Sequence, residues 1–257
     1  MLQIVVNESM TSVPRRCAGS DLNLAIAVQR QMLPRKTKQL TTAEYAGMTA
    51  AARAVGGDYY DFLDLGPGEL GVLLADVSGK GVPAALLMAN LQAAIRCECA
   101  HPFSSLPAML QQVNTHFFQS TLPEQYATLF FSRYDDRTRR LDYVNCGQQP
   151  AIILRNDGTI EFLEGTALPL GLLRDWTGEM NSVQLRSGDL LCVCSDGVIE
   201  AGLENGSEFG VEGLISVLAT NPDQDVESAV ARIAQAMRAF APDGPTDDTT
   251  IVALQVS

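Results

Sequence analysis

Apolar segments follow one another along this chain in an order that excludes most folds. After the first forty residues, strand-like runs come at 45–54, 58–65 and 69–76. Two helical segments follow at 82–99 and 104–120, the second with Leu106, Leu110, Val113 and Phe117 at helical spacing. Strands return at 127–134, 140–146, 150–155, 159–163, 180–185 and 190–194. Two more helices, at 211–219 and 225–240, precede a last strand at 250–256. Turn chemistry joins several strands directly, through Gly66-Pro67-Gly68, Asn156-Asp157-Gly158 and Ser187-Gly188-Asp189. Hairpins and helices in pairs are α+β order, not alternating βαβ. With 257 residues, no internal repeat and no linker after residue 40, the chain reads as one catalytic-size domain behind a helical extension.

The stretch LLADVSGKGVPAALLMAN, residues 73–90, carries the chemistry. A strand runs into Asp76, then Gly79-Lys80-Gly81, then a helix. Glycine loops of this kind usually present backbone N–H groups and a helix N-terminus to phosphate. A carboxylate at the loop mouth would repel that phosphate. Gly79-x-Gly81-x-x-Ala84 matches a loose dinucleotide pattern, but the element order is wrong for a doubly wound sheet. A nucleotide-triphosphate loop fails because residue 74 is Leu and no Gly-Lys-Ser/Thr exists.

Asp76 is one of several carboxylates at junctions of turn and strand. VGGDYYDF supplies Asp58, CVCSDGVIEA supplies Asp196, and PTDDTTIVAL supplies Asp247 and Asp248. Asp157 and Asp189 read as ordinary turn residues. Strand-edge aspartates converging on one place would repel one another unless cations lay between them. All-oxygen ligands favour Mg²⁺ or Mn²⁺. Two ions sharing an aspartate would hold the phosphate and supply a hydroxide nucleophile.

Other features limit the alternatives. A net charge of −12 and a pI of about 4.5 make nucleic acid and anionic membranes poor partners. No apolar run is long enough for a membrane span, and MLQIVVNESM lacks the basic flank of a signal peptide. The six cysteines, Cys17, Cys97, Cys99, Cys146, Cys192 and Cys194, include no CxxC, and the only histidines are His101 and His116. Zinc is disfavoured, and buried thiols in a reducing cytoplasm fit best.

The ordered set AVQRQMLP, ARAVGGDYYDF, LADVSGKGVPAALLMA, YATLFFSRYDDRTRRLDYVNCGQQPAIIL, LPLGLL, LRSGDLLCVCSDGVIEA, FG and DDTTIVALQV resembles the metal-dependent protein phosphatases of the protein phosphatase 2C superfamily, in particular the SpoIIE and RsbU branch. The resemblance covers 21–256. It implies a β-sandwich of two antiparallel sheets flanked by pairs of helices. It implies that Asp76 bridges two Mn²⁺ or Mg²⁺ ions, that the Val77 carbonyl binds one of them, and that Asp196 and Asp247 bind the other. Asp58 is then a ligand, directly or through water, and Asp248 a further contributor. Gly56 and Gly57 would let the backbone turn tightly beside the ions. Arg53, five residues before Asp58, has the spacing of a phosphate-binding arginine in eukaryotic relatives; Lys80 reads as a surface residue. Two positions depart from relatives: Ser78 stands where eukaryotic members have a histidine, and Gln148 where the bacterial branch often has one.

The activity so implied is serine/threonine phosphoprotein phosphatase, on a STAS-type anti-anti-sigma protein in a partner-switching pathway. The alternatives are a degenerate module of the same fold that binds without catalysis, and a dinucleotide-binding enzyme. Residues 1–40 read as an extension and 41–257 as the SpoIIE-like phosphatase domain. Within the extension, residues 1–19 show little order. Leu22, Ile26, Gln29 and Leu33 then form one stripe of a helix over 21–33, with Ala25 and Met32 beside it, Ser20 as its cap and Pro34 as its stop. This helix is either packed permanently on the domain or, as the resemblance implies, regulatory. In the second case it would dock on the domain or on a second copy and relay a signal from an upstream protein.

Overall fold

In the computed structural model, residues 18–34, 38–203, 206–220, 225–242 and 244–257 are described. Residues 1–17, with Cys17 and the Arg15-Arg16 pair, lie outside them, as does Arg35-Lys36. Among the described residues, ten strands form two five-stranded sheets. One has the order β1 (Ala43–Ala50), β10 (Thr249–Val256), β9 (Leu190–Cys194), β6 (Ala151–Leu154), β7 (Ile160–Leu163). The other has the order β2 (Tyr59–Gly66), β3 (Glu69–Val77), β4 (Ala127–Asp135), β5 (Arg140–Cys146), β8 (Asn181–Gln184). Every named pairing is antiparallel. The sandwich implied by the resemblance is therefore present, in keeping with the α+β element order.

Strand periodicity explains why its central strands are apolar on both faces. On β3, Leu70, Val72 and Leu74 pack between the sheets, while Leu73, Ala75 and Val77 face helices. On β10, Val252, Leu254 and Val256 face inward, and Ile251 and Ala253 face out. Helices α2 (Val82–Cys99) and α3 (Leu106–Ser120) cover the second sheet through Leu91, Ile95, Leu110 and Phe117. Helices α5 (Gly210–Ala219) and α6 (Val226–Phe240) cover the first through Leu214, Leu218 and Ile233. Between β9 and α5 lies α4 (Asp196–Ile199), a single turn that the periodicity did not predict.

Helix α1 (Ala18–Met32) begins before its expected cap, so Ser20 lies inside its first turn and residues 18 and 19 are helical rather than irregular. Asp21 places a negative charge at that end, which favours the helix dipole. Only part of the predicted stripe is covered, and Leu22 stays 38% exposed. Met32 and Leu33 reach the main cores. The helix is fastened at its C-terminus, where the Met32 carbonyl accepts from Gln92 Nε2 (2.8 Å) and an Arg96 amino group (3.2 Å) of α2. Arg96 is itself paired with the buried Asp61 at 2.7 Å.

Candidate metal centre

The parity that builds the core also builds the site. Asp76 is in phase with Val72 and Leu74, and Asp58 with Tyr60 and Phe62, all four of which pack between the sheets. Both carboxylates therefore lie at one end of the inter-sheet gap. Asp196 enters from the other sheet, just past the end of β9, and Asp247 and Asp248 immediately before β10.

Burial and mutual repulsion make the cluster hungry for positive charge. Asp58 is 6% exposed, and its pKa stands well above the usual carboxylate value through burial and then the charge of Asp76. Asp76 is pushed up to about 7 by burial and then by Asp196, Asp247 and Asp248. Asp196 is raised by burial and then Asp247. Glu200, one turn past Asp196 on the exposed rim, is raised by burial and then Asp196 and Asp247. Sequence reasoning passed over Glu200, although Asp196 and Glu200 have the i, i+4 spacing of one helical face.

Asp58, Asp247 and Asp248 each meet a local partner. Thr250 donates its hydroxyl to Asp58 Oδ2 at 2.6 Å. Asp248 is an anchor: its Oδ1 accepts from Ala52 N–H (2.8 Å) and its Oδ2 from Gly57 N–H (2.7 Å). Asp247 Oδ1 accepts from Asp248 N–H at 2.9 Å, and its Oδ2 lies 2.6 Å from Lys80 Nζ. Among the described residues, no group of three or more carboxylates, imidazoles or thiols is arranged to hold an ion as the side chains stand. Lys80, expected to be a bystander, is the cation that Asp247 faces.

The glycines matter for space rather than for φ. A Cβ on Gly56 would lie 2.0 Å from Asp248 Oδ2, and one on Gly57 would lie 2.7 Å from the Val77 carbonyl oxygen. Their absence lets the 51–57 loop close on Asp248 and on the end of β3. Arg53 belongs to this loop rather than to a strand. Strand β1 ends at Ala50 because its partner β10 begins at Thr249, opposite Ala50, and offers no further backbone. The exposed Arg53 lies beside Gly81, and Arg53, Asp58 and Asp248 share a cavity of about 340 Å³ with Ile26, Gln29 and Leu33 of the N-terminal segment.

The two departures from relatives have structural partners. Ser78 donates its backbone N–H to the Tyr126 carbonyl (2.9 Å), and its Oγ accepts from Tyr126 N–H (3.0 Å). Gln148 is buried; its Oε1 accepts from the Thr128 hydroxyl, and Thr128 is the register partner of Asp76. Its Nε2 donates to the Cys194 carbonyl at 3.3 Å, two residues before Asp196. Gln148 thus ties the strand beside Asp76 to the strand that delivers Asp196. Asp189 and Asp157 are structural, as expected. Asp189 is buried against Arg155 at 2.6 Å, and Asp157 accepts from Thr159 N–H at 2.9 Å.

An all-oxygen donor set spanning two sheets, with an ammonium drawn into it, suits hard divalent cations. A sandwich with acidic residues at one end of the inter-sheet gap defines the class. Residues 66–257 match the family model of stage II sporulation protein E (SpoIIE), and the chain belongs to that family. The matched region contains Asp76, Val77, Asp196, Asp247 and Asp248; Arg53 and Asp58 precede it. Phosphoserine phosphatase RsbU of Bacillus subtilis is 29% identical over 195 residues, covering 73% of this chain and 56% of that protein. Phosphoserine phosphatase RsbP of the same organism is 25% identical over 185 residues, covering 70% and 45%. The chain spans about half the length of these curated relatives. Among solved structures, the SiaA-PP2C domain of Pseudomonas aeruginosa superposes with a TM-score of 0.79 at 20% identity, covering 95% of this chain and 98% of that one. The PP2C phosphatase domain of SpoIIE from Bacillus subtilis, solved with a fragment of its regulatory domain, gives 0.72 at 21% identity, covering 85% and 64%. These neighbours share the fold.

Proposed function

We propose that this chain is a divalent-metal-dependent serine/threonine phosphoprotein phosphatase. The observation that carries the reading is the set Asp58, Asp76, Asp196 and Asp247 at one end of the inter-sheet gap, where the charges of Asp196 and Asp247 raise Asp76 and that of Asp76 raises Asp58. Asp76, the Val77 carbonyl, Asp58, Asp196 and Asp247 would hold two Mn²⁺ or Mg²⁺ ions, and Asp248 would support them from the anchored loop. Such ions, when bound, supply a hydroxide nucleophile at neutral pH and neutralise phosphoryl charge. The protein's own part is to orient these donors, and the exposed Arg53, which lines the same cavity as Asp58, would offer its guanidinium to the phosphate oxygens. Ser78, with its hydrogen bonds directed to Tyr126, leaves no histidine-like acid beside the leaving group.

The relatives named phosphoserine phosphatase support a phosphoserine substrate. A phosphorylated STAS-domain protein is the substrate we assign. Its support is the family branch and a structural neighbour that joins RsbU and RsbW domains in one chain of Mycobacterium tuberculosis. Residues 41–257 form the catalytic domain in this reading, and 1–40 a regulatory extension that answers an upstream protein or a second copy. Among the described residues no helix is long and apolar enough to cross a membrane. The test is hydrolysis of p-nitrophenyl phosphate and of a phosphoserine STAS protein, with EDTA and with Mn²⁺. Manganese-dependent release of phosphate from both is expected. A folded protein with no hydrolysis under either condition overturns the reading.

A further inference from the structure

Lys80 stands alone between two glycines, Gly79 with φ 97° and Gly81 with φ 73°, conformations that other residues rarely adopt. The loop's path is thus set by glycine, and it delivers the Lys80 side chain to one place. Its Nζ lies 2.6 Å from Asp247 Oδ2 and donates to the Thr246 carbonyl at 3.2 Å. It is also attracted by Asp196 and repelled by Arg53. The Lys80 side chain remains 43% exposed, so it can leave Asp247 for water at little cost.

We propose that Lys80 is the resident counter-ion of this centre: it holds Asp247 in the metal-free protein, and pairing with Lys80 and binding of a divalent ion at Asp247 exclude one another. The inference rests on the reading of the aspartates as metal ligands. The physical ground is like-charge repulsion. A divalent ion on Asp247 would place two positive charges within a few ångströms of the ammonium, inside the range where like charges disfavour each other. Lysine suits the role because it is a compact charge on a flexible stem with no fixed fork to satisfy. The ammonium keeps Asp247 neutralised and oriented in the metal-free state. It also makes every binding event displace a competitor, which raises the free-ion concentration at which the site fills.

The experiment measures Mn²⁺ affinity by calorimetry on the whole chain, for the parent, Lys80→Met and Lys80→Arg, beside thermal unfolding in EDTA. Removing the competitor should tighten Mn²⁺ binding by about three- to ten-fold and lower the melting temperature of the metal-free protein slightly. Lys80→Arg keeps the charge and should hold affinity within about two-fold of the parent, as a retained charge competes similarly. In a manganese-loaded crystal, Lys80 Nζ should lie beyond ion-pair distance from Asp247. Unchanged or weaker binding in Lys80→Met, with the parent binding normally, overturns the counter-ion role alone. A parent that binds no Mn²⁺ overturns both this inference and the metal-centre reading. A merely structural lysine would shift the melting temperature and leave affinity unmoved.

Discussion

Asp76 carries a heavy electrostatic load, since three other aspartates raise its affinity for a proton. If Asp76 bridges the two ions as proposed, replacing it with asparagine removes the charge that draws them and also removes a repulsion. Asp76→Asn should therefore lose Mn²⁺ affinity and turnover by orders of magnitude while the metal-free fold stays as stable or gains. Calorimetry and phosphate release measure the first, and thermal melts in EDTA the second. Near-parental manganese-dependent turnover would remove Asp76 from the centre. The pH dependence has a defined sign. The folded value of about 7 lies above the ordinary 3.8, so between these the folded chain binds the proton more tightly than the unfolded chain. Stability from this group is present at the acid end and is lost as pH rises toward about 7. Carboxylates held below the ordinary value, such as Asp142 and Asp136, act oppositely but only at lower pH. Melting temperature in EDTA should thus fall between pH 5.5 and 7.5, and the fall should be shallower in Asp76→Asn. An equal slope in both would assign the effect elsewhere.

At the scale of elements, strands and helices were legible because the core alternates and the helices are amphipathic. What escaped the sequence depends on distant partners. The end of β1 is set by where β10 begins, some two hundred residues later, and that decision moves Arg53 from a strand to a loop. The start of α1 shows no side-chain signal, because Ala18 and Gly19 precede the serine that the capping rule selects. The one-turn α4 is too short for periodicity to register. Helix α1 carries the element-scale prediction. Gln29 makes two hydrogen bonds to the Gly56 backbone, donating at 2.7 Å and accepting at 3.2 Å, two residues from Asp58. Ile26 lines the cavity that Asp58 and Arg53 also line. A charge at Ile26 should therefore disturb the placement of the 51–57 loop more than it disturbs the core, since Ile26 lies outside all the main apolar clusters. Ile26→Asp is expected to change turnover or oligomeric state more than melting temperature. Kinetics, sedimentation and calorimetric melting on one preparation decide it. A lower melting temperature with unchanged turnover per folded molecule and unchanged mass would make α1 purely structural.

At the scale of the whole molecule, the acidic centre lies where the two sheets meet. Asp76 ends a strand of one sheet, and Asp196 and Asp247 flank strands of the other. The aspartates could be found in the sequence because each lies at a turn–strand junction. Their partners could not, because Lys80 with Asp247 and Gln148 with Thr128 and Cys194 are contacts between segments far apart in the chain. Ions bound across this junction would fasten one sheet to the other, so metal should act on global stability as well as on chemistry. At a free Mn²⁺ concentration one hundred times the dissociation constant, linkage adds about 2.7 kcal/mol. For a chain of this size that corresponds to roughly 5–10 °C in melting temperature. The thiols give the contrasting expectation. Cys146 is held protonated by burial, and Cys194 by its hydrogen bond with Cys192, 3.8 Å away, and then by burial. A buried thiol of this kind is a poor nucleophile. EDTA should therefore abolish activity and lower the melting temperature together, and Mn²⁺ should restore both. Cys146→Ser should keep its turnover per folded molecule, because the serine hydroxyl costs core stability without touching the aspartates. Loss of turnover in folded Cys146→Ser, or a melting temperature indifferent to Mn²⁺, would contradict a metal centre that joins the sheets.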